Sequence, residues 1–120
     1  PNAGSAYLVL LPADYSPAGP HPLLMVLHDS GMSLEETTAF WRETAGQLNA
    51  VLVAPEYLLE EKRAYSYSLA EHEKFLATLA DVRRRFAVDA SRAFLAGHGI
   101  GAFAAFDLGW SHPSEWAGVI

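Results

Sequence analysis

The segment Gly97-His98-Gly99-Ile100-Gly101 is where the residue types of this chain come nearest to a reaction centre. It follows the apolar run Ala93-Phe94-Leu95-Ala96 and precedes a stretch rich in Ala and Phe, so the spacing predicts a strand, a sharp turn and a helix. Glycines on both sides let such a turn tighten until its central side chain stands clear of the backbone, the geometry of a nucleophile elbow. The N–H of the following residue, Ile100, then faces the place where negative charge develops on a carbonyl under attack. The central residue here is Gly99, which has no nucleophile to offer. A second turn, His28-Asp29-Ser30-Gly31, closes another apolar run and would bring a further donor, the N–H of Asp29 or Ser30, to the same edge. Asp29 places a negative charge beside a site that should stabilise one. Ser30 has a hydroxyl without a base near it and reads as a turn residue.

Other chemistries find less support. Gly97-x-Gly99-x-x-Ala102 also fits the dinucleotide fingerprint, but that motif opens the first strand–helix unit of its fold and needs an acid about 20 residues on, at the end of the next strand. Here three strands come first, and Glu115 precedes the following one. The five histidines are scattered, without the H-x-x-x-H or H-E-x-x-H spacing of a metal site. The absence of cysteine removes thiolate ligands and a substitute thiol nucleophile together. No cofactor and no metal are therefore expected.

The elements that must position these turns can be read from apolar runs and caps. Ser5 to Leu11 is a short β-prone run stopped by Pro12, and the proline-rich stretch Asp14 to Pro22 reads as a loop. Leu23 to Leu27 and Val51 to Ala54 are unbroken apolar runs, the mark of strands buried on both faces. Ser33-x-x-Glu36 and Ser68-x-x-Glu71 have capping-box spacing and open two helices. The first closes at Asn49, suited to a left-handed cap; the second buries Phe75, Leu76, Leu79, Val82 and Phe86 and ends in Arg83-Arg84-Arg85, read as a solvated end that suits the helix dipole. Phe40 and Trp41 are assigned to the core. The segment from Ala102 to Trp110 is apolar nearly all round and should lie between the sheet and its neighbours. Glu56, Tyr65 and Tyr67 fall near the ligand edge and read as a polar surface loop, and Trp116 to Ile120 reads as the start of a fourth buried strand. Strands alternating with helices give an α/β fold with a largely parallel sheet, whose ligands gather at the carboxyl ends of the strands.

Composition narrows the classes. The chain has 120 residues, 51% of them hydrophobic, which is globular rather than disordered and sufficient for one core. A formal charge of −6 leaves no basic face for nucleic acid. No apolar run reaches the roughly 18 residues of a spanning helix. Pro1 is not preceded by a basic and apolar leader, so a signal peptide is expected to be absent or removed.

In this order and phase, five pieces resemble the α/β-hydrolase superfamily: Tyr7-Leu8-Val9-Leu10-Leu11-Pro12, HPLLMVLHDSG (His21 to Gly31), Phe86-Ala87-Val88-Asp89 with Arg92, FLAGHGIGA (Phe94 to Ala102) and HPSEWAGVI (His112 to Ile120). The likeness is to its esterase branch, the polyhydroxybutyrate-depolymerase, feruloyl-esterase and prolyl-oligopeptidase-like sequences. It implies a three-layer α/β/α fold with a mostly parallel sheet. It further implies that residues 1–120 are a partial domain: a lead-in strand, three strand–helix units and the start of a further strand.

The resemblance puts Gly99 where the family has its serine, with Gly97, His98 and Gly101 completing the elbow. Ile100 and Asp29 or Ser30 match the oxyanion-hole backbone. The family's acid and histidine come later in the chain, and after Gly99 only Asp107, Glu115 and His112 remain. Asp107 lies eight residues up the same helix, about 12 Å away at ~1.5 Å per residue, and cannot return to the turn. The expectation is a hydrolase frame without catalytic competence, with a non-catalytic ligand-binding or scaffold module as the alternative. A small ester or carboxylate would be the natural ligand. An open sheet edge would make the isolated chain marginally stable, self-associating, or dependent on a missing C-terminal half.

Overall fold

Apolar runs without alternation satisfy every side chain only when both faces of their sheet are covered, and that requirement organises the molecule. The computed structural model describes residues 6–57 and 65–120. Ser5 of the expected first strand and residues 58–64 of the expected loop lie outside them. In chain order the elements are β1 (Tyr7–Leu10), β2 (His21–Leu27), α1 (Leu34–Leu48), β3 (Val51–Pro55), α2 (Leu69–Arg85), β4 (Val88–Gly97), α3 (Ile100–Ser111) and β5 (Gly118–Val119). The strands form one sheet in the order β1-β3-β2-β4-β5; β1 is antiparallel to β3 and every other pair is parallel.

The alternation of side chains along a strand divides the core between two faces. Leu23, Met25 and Leu27 of β2 join Phe75, Leu79 and Val82 of α2 and Ala104, Ala105 and Leu108 of α3. Leu24 and Val26 point the other way, to Ala45, Leu34 and Trp41 of α1. This is the three-layer α/β/α arrangement, with β2 at its centre and all seven of its residues buried.

Both capping boxes form. The Glu36 N–H donates to Ser33 Oγ and the Ser33 N–H to Glu36 Oε1, each at 2.9 Å. Asn49 closes α1 in the left-handed region at φ 54°. The second box is more than a cap. Glu71 is 1% exposed, and its carboxylate accepts from the N–H and hydroxyl of both Ser66 and Ser68. Burial alone would push this carboxyl up, but these donors together hold it below its usual range. Glu71→Gln should cost about 2 kcal/mol, because it discharges a buried acceptor of several hydrogen bonds. Glu36→Gln, at an exposed box, should cost under about 1 kcal/mol. Urea unfolding of the two variants checks the difference.

Several boundaries differ from the sequence reading. His21 and Pro22 belong to β2, not to the preceding loop: the His21 N–H donates to the Ala87 carbonyl at 2.8 Å, and Pro22 sits at an irregular step in the pairing with β4, where its missing N–H is tolerated. β4 reaches back to Val88 through a part-exposed stretch whose polar residues hide it from an apolar-run criterion. Phe40 is not core but 56% exposed. The face of α3 that carries Phe103, Phe106 and Trp110 is exposed as well, so this helix is covered on one side only. The expected fourth buried strand is the two-residue β5 at the sheet edge, with Val119 and Ile120 exposed. The arginines that end α2 are paired: Arg83 meets Glu115, and Arg84 and Arg85 meet Asp81.

Candidate functional site

Parallel pairing of β2 with β4 brings Leu27 opposite Gly97, so the turns that follow the two strands lie side by side. The β4–α3 turn is tight. Gly99 sits at φ 60°, ψ −125°, a positive-φ conformation in which a residue with a Cβ is strained. Gly101 allows α3 to start against the Leu27 carbonyl, which a Cβ at that position would overlap.

Asp29 of the neighbouring turn reaches into this arrangement. Its Oδ1 accepts the N–H of Ile100 at 2.9 Å and the N–H of Ser30 at 2.8 Å. The Ile100 N–H, and the Ser30 N–H that with the Asp29 N–H was an alternative for the second donor, are thus engaged by a side chain of the protein itself. The rest of the carboxylate lies over Gly99, closer to an added Cβ than any real Cβ approaches another atom. The Ile100 N–H, followed by that of Ser30, holds the Asp29 carboxyl below the usual carboxylate range, so it is ionised at neutral pH. A charged acceptor with two backbone donors, one at a helix N-terminus, is a strong local solution to the orphan donors there.

The surrounding residues brace the β2 turn. Tyr57 is buried and donates to the His28 carbonyl at 2.6 Å, and burial raises the pKa of its phenol. His28 Nδ1 lies 2.7 Å from the Asp29 carbonyl oxygen, which places a ring proton on that nitrogen. The His98 ring packs against Phe40 at 4.9 Å between centroids, which explains why Phe40 stands outside the core. Glu56 is exposed, and its N–H joins the Ala6 carbonyl.

A second polar cluster was not visible in the sequence. Tyr65, read as a surface residue, is only 8% exposed, and its hydroxyl donates to Asp107 Oδ2 at 2.5 Å. His72 Nε2 lies 2.7 Å from the same oxygen, and His72 Nδ1 lies 3.0 Å from His112 Nε2, across 40 residues of sequence. Burial would raise the Asp107 carboxyl, but Tyr65 and His72 together hold it below its usual range. An acid and a histidine therefore do pair in this chain, through a histidine that precedes Gly99 in sequence. Asp107 is seven residues along α3 from Ile100, about 10 Å up the helix axis at ~1.5 Å per residue, so the pair serves α2 and α3 rather than the turn. Its only sequence signal was His72, next to the capping Glu71, a position that no spacing rule singles out.

The architecture defines a class of fold: it is that of the α/β-hydrolases. The acetyl xylan esterase from Aspergillus awamori matches 97% of this chain with a TM-score of 0.81 at 10% identity. The S-formylglutathione hydrolase from Staphylococcus aureus matches 98% with a TM-score of 0.73 at 20% identity. A ferulic acid esterase matches 96% with a TM-score of 0.72 at 21% identity. The chain spans 45%, 51% and 52% of these three structures, about half of each. No protein-family model and no curated protein sequence matches it. At such identities the likeness is one of fold.

Proposed function

We propose that this chain carries the frame of a carboxylic-ester hydrolase in which the acyl-transfer centre is closed. In this reading the β4–α3 turn is the nucleophile elbow, Gly99 stands at the nucleophile's place, and the N–H groups of Ile100 and Ser30 are the oxyanion donors. The names of the similar structures, esterases and an S-formylglutathione hydrolase, support acyl transfer as the chemistry of the frame. The observation that carries the reading is the Asp29 carboxylate, bonded to both donors and lying over Gly99. Without a side chain at position 99 no acyl-enzyme can form, and with a carboxylate in the donor site a second negative charge is repelled rather than stabilised.

The same charge opposes the alternative ligands of this turn. A carboxylate compound would have to displace Asp29, and the pyrophosphate of a dinucleotide would meet it at the α3 N-terminus, where such cofactors need free N–H groups. The turn is then a structural junction that ties α3 to the end of β2. The expected result is no hydrolysis of p-nitrophenyl acetate by the chain beyond that of an unrelated control protein. Saturable turnover abolished by a serine-reactive organophosphate would overturn the reading.

A further inference from the structure

The face of α3 away from the sheet is not uniformly apolar. Phe103, Phe106 and Trp110 project from it, at 64%, 66% and 82% exposure, and Tyr67 stands opposite from the segment before α2. Together with Asp107 they line an open pocket of about 380 Å³, within the ~300–1,000 Å³ of small-ligand clefts. Four aromatic rings and one carboxylate form its wall. We propose that this pocket binds a small alkylated ammonium cation, a ligand unrelated to ester chemistry at the β4–α3 turn.

Three observations converge on a cation. Aromatic faces carry the negative part of the ring quadrupole and attract positive charge within about 6 Å. Asp107 adds a carboxylate whose position is fixed. Its Oδ2 is held by Tyr65 and by His72, which is 7% exposed and itself braced by His112. Oδ1, by contrast, has among the described residues only the Ser111 hydroxyl at 3.5 Å, long for a hydrogen bond, and keeps its acceptor capacity. Finally, Tyr67 holds φ 57°, a left-handed conformation that a bulky residue adopts against steric resistance. Its ring packs against Tyr65 at 4.6 Å between centroids, which sets it at the pocket mouth. The alkyl groups of the cation suit the rings, and such a cation sheds its weak hydration more readily than a primary ammonium. A chain of net charge −6 favours a cation over an anionic ligand.

Calorimetric titration of the 120-residue chain with choline, and with its neutral isostere 3,3-dimethylbutan-1-ol, at fixed ionic strength, tests the proposal. Choline should bind saturably and about fivefold more tightly than the alcohol, the gain expected of an exposed cation–π site beside a carboxylate. Trp110→Ala should weaken choline binding about tenfold while leaving the melting curve unchanged, since the side chain is 82% exposed. Phe106→Ala, likewise exposed, should act in the same direction, and Asp107→Asn should erase the preference for choline over the alcohol. Equal binding of choline and alcohol would reduce the pocket to an apolar surface and overturn the proposal. So would the lack of saturation, or a Trp110→Ala variant that binds choline as the parent does.

Discussion

Gly99→Ser, introduced alone, should give a chain about 3 kcal/mol less stable than the parent and still without ester turnover. Two costs combine. A residue with a Cβ at φ 60°, ψ −125° is strained by about 1–3 kcal/mol. The new side chain must also displace the Asp29 carboxylate, which overlaps the Cβ position and is bonded to Ile100 and Ser30. The carboxylate is a side-chain tip that can turn away, but doing so forfeits these charged hydrogen bonds, at about 1–3 kcal/mol. Asp29→Gly removes the obstacle, so the double variant should lose less than the sum of the singles, with a coupling of about 1–2 kcal/mol for groups in direct contact. Urea unfolding of the four proteins measures it. Additivity would mean that Asp29 and Gly99 are independent and would remove the lock from the proposed function. The pH dependence gives a second readout. Because the folded-state pKa of Asp29 is lowered, its stabilisation is full above the ordinary carboxylate range and is lost as pH falls through the lowered value. The Asp29→Gly variant should therefore lose less stability on acidification below about pH 4 than the parent does.

Gly101→Ala should be among the most damaging single-methyl additions to the described residues. The added carbon would enter the Leu27 carbonyl, with the His28 carbonyl beside it. Neither obstacle is a side-chain tip that could turn away. Leu27 is fully buried at the end of the central strand and is paired with Gly97. Relief requires α3 to move off the sheet, which also opens the packing of Ala104, Ala105 and Leu108. A loss of about 4 kcal/mol is expected, at the upper end for point substitutions and a large part of the ~5–15 kcal/mol of a whole domain. Gly46→Ala is the matched control. Gly46 lies inside α1 with open space around its Cβ position, so the same chemical change there should stabilise by up to about 1 kcal/mol. Melting curves of the two variants should move in opposite directions; a similar shift for both would contradict the close approach at Gly101.

Much of the frame was legible because it rests on local rules. Leu23–Leu27 and Val51–Ala54 are apolar without alternation, and both are strands covered on two faces. Ser33 with Glu36 and Ser68 with Glu71 satisfy each other within one helical turn, so their spacing alone located two helix starts. Asn49 could be read as a left-handed cap for the same local reason. The misses share a cause as well. Phe40 was given to the core by its residue type, yet it leans on His98, a contact between α1 and a turn some 60 residues away that only the strand register creates. The apolar character of Ala102–Trp110 suggested burial all round, but hydrophobicity states a preference for cover and does not supply the cover. Tyr65 and His72 carried no pattern at all, since their partner Asp107 comes from α3.

The candidate site divides along the same line. That position 99 has no side chain, that an acid stands at position 29, and that the chain holds no cysteine are facts of the sequence, fixed by residue identity before any folding. That the acid reaches the donors it was expected only to disturb is a fact of the tertiary structure. Asp29 and Ile100 are 71 residues apart, and their meeting depends on β2 and β4 being parallel neighbours with Leu27 opposite Gly97. A sequence lists the charges and the donors; the register of a sheet decides which of them fall within 3 Å, where hydrogen bonds are made.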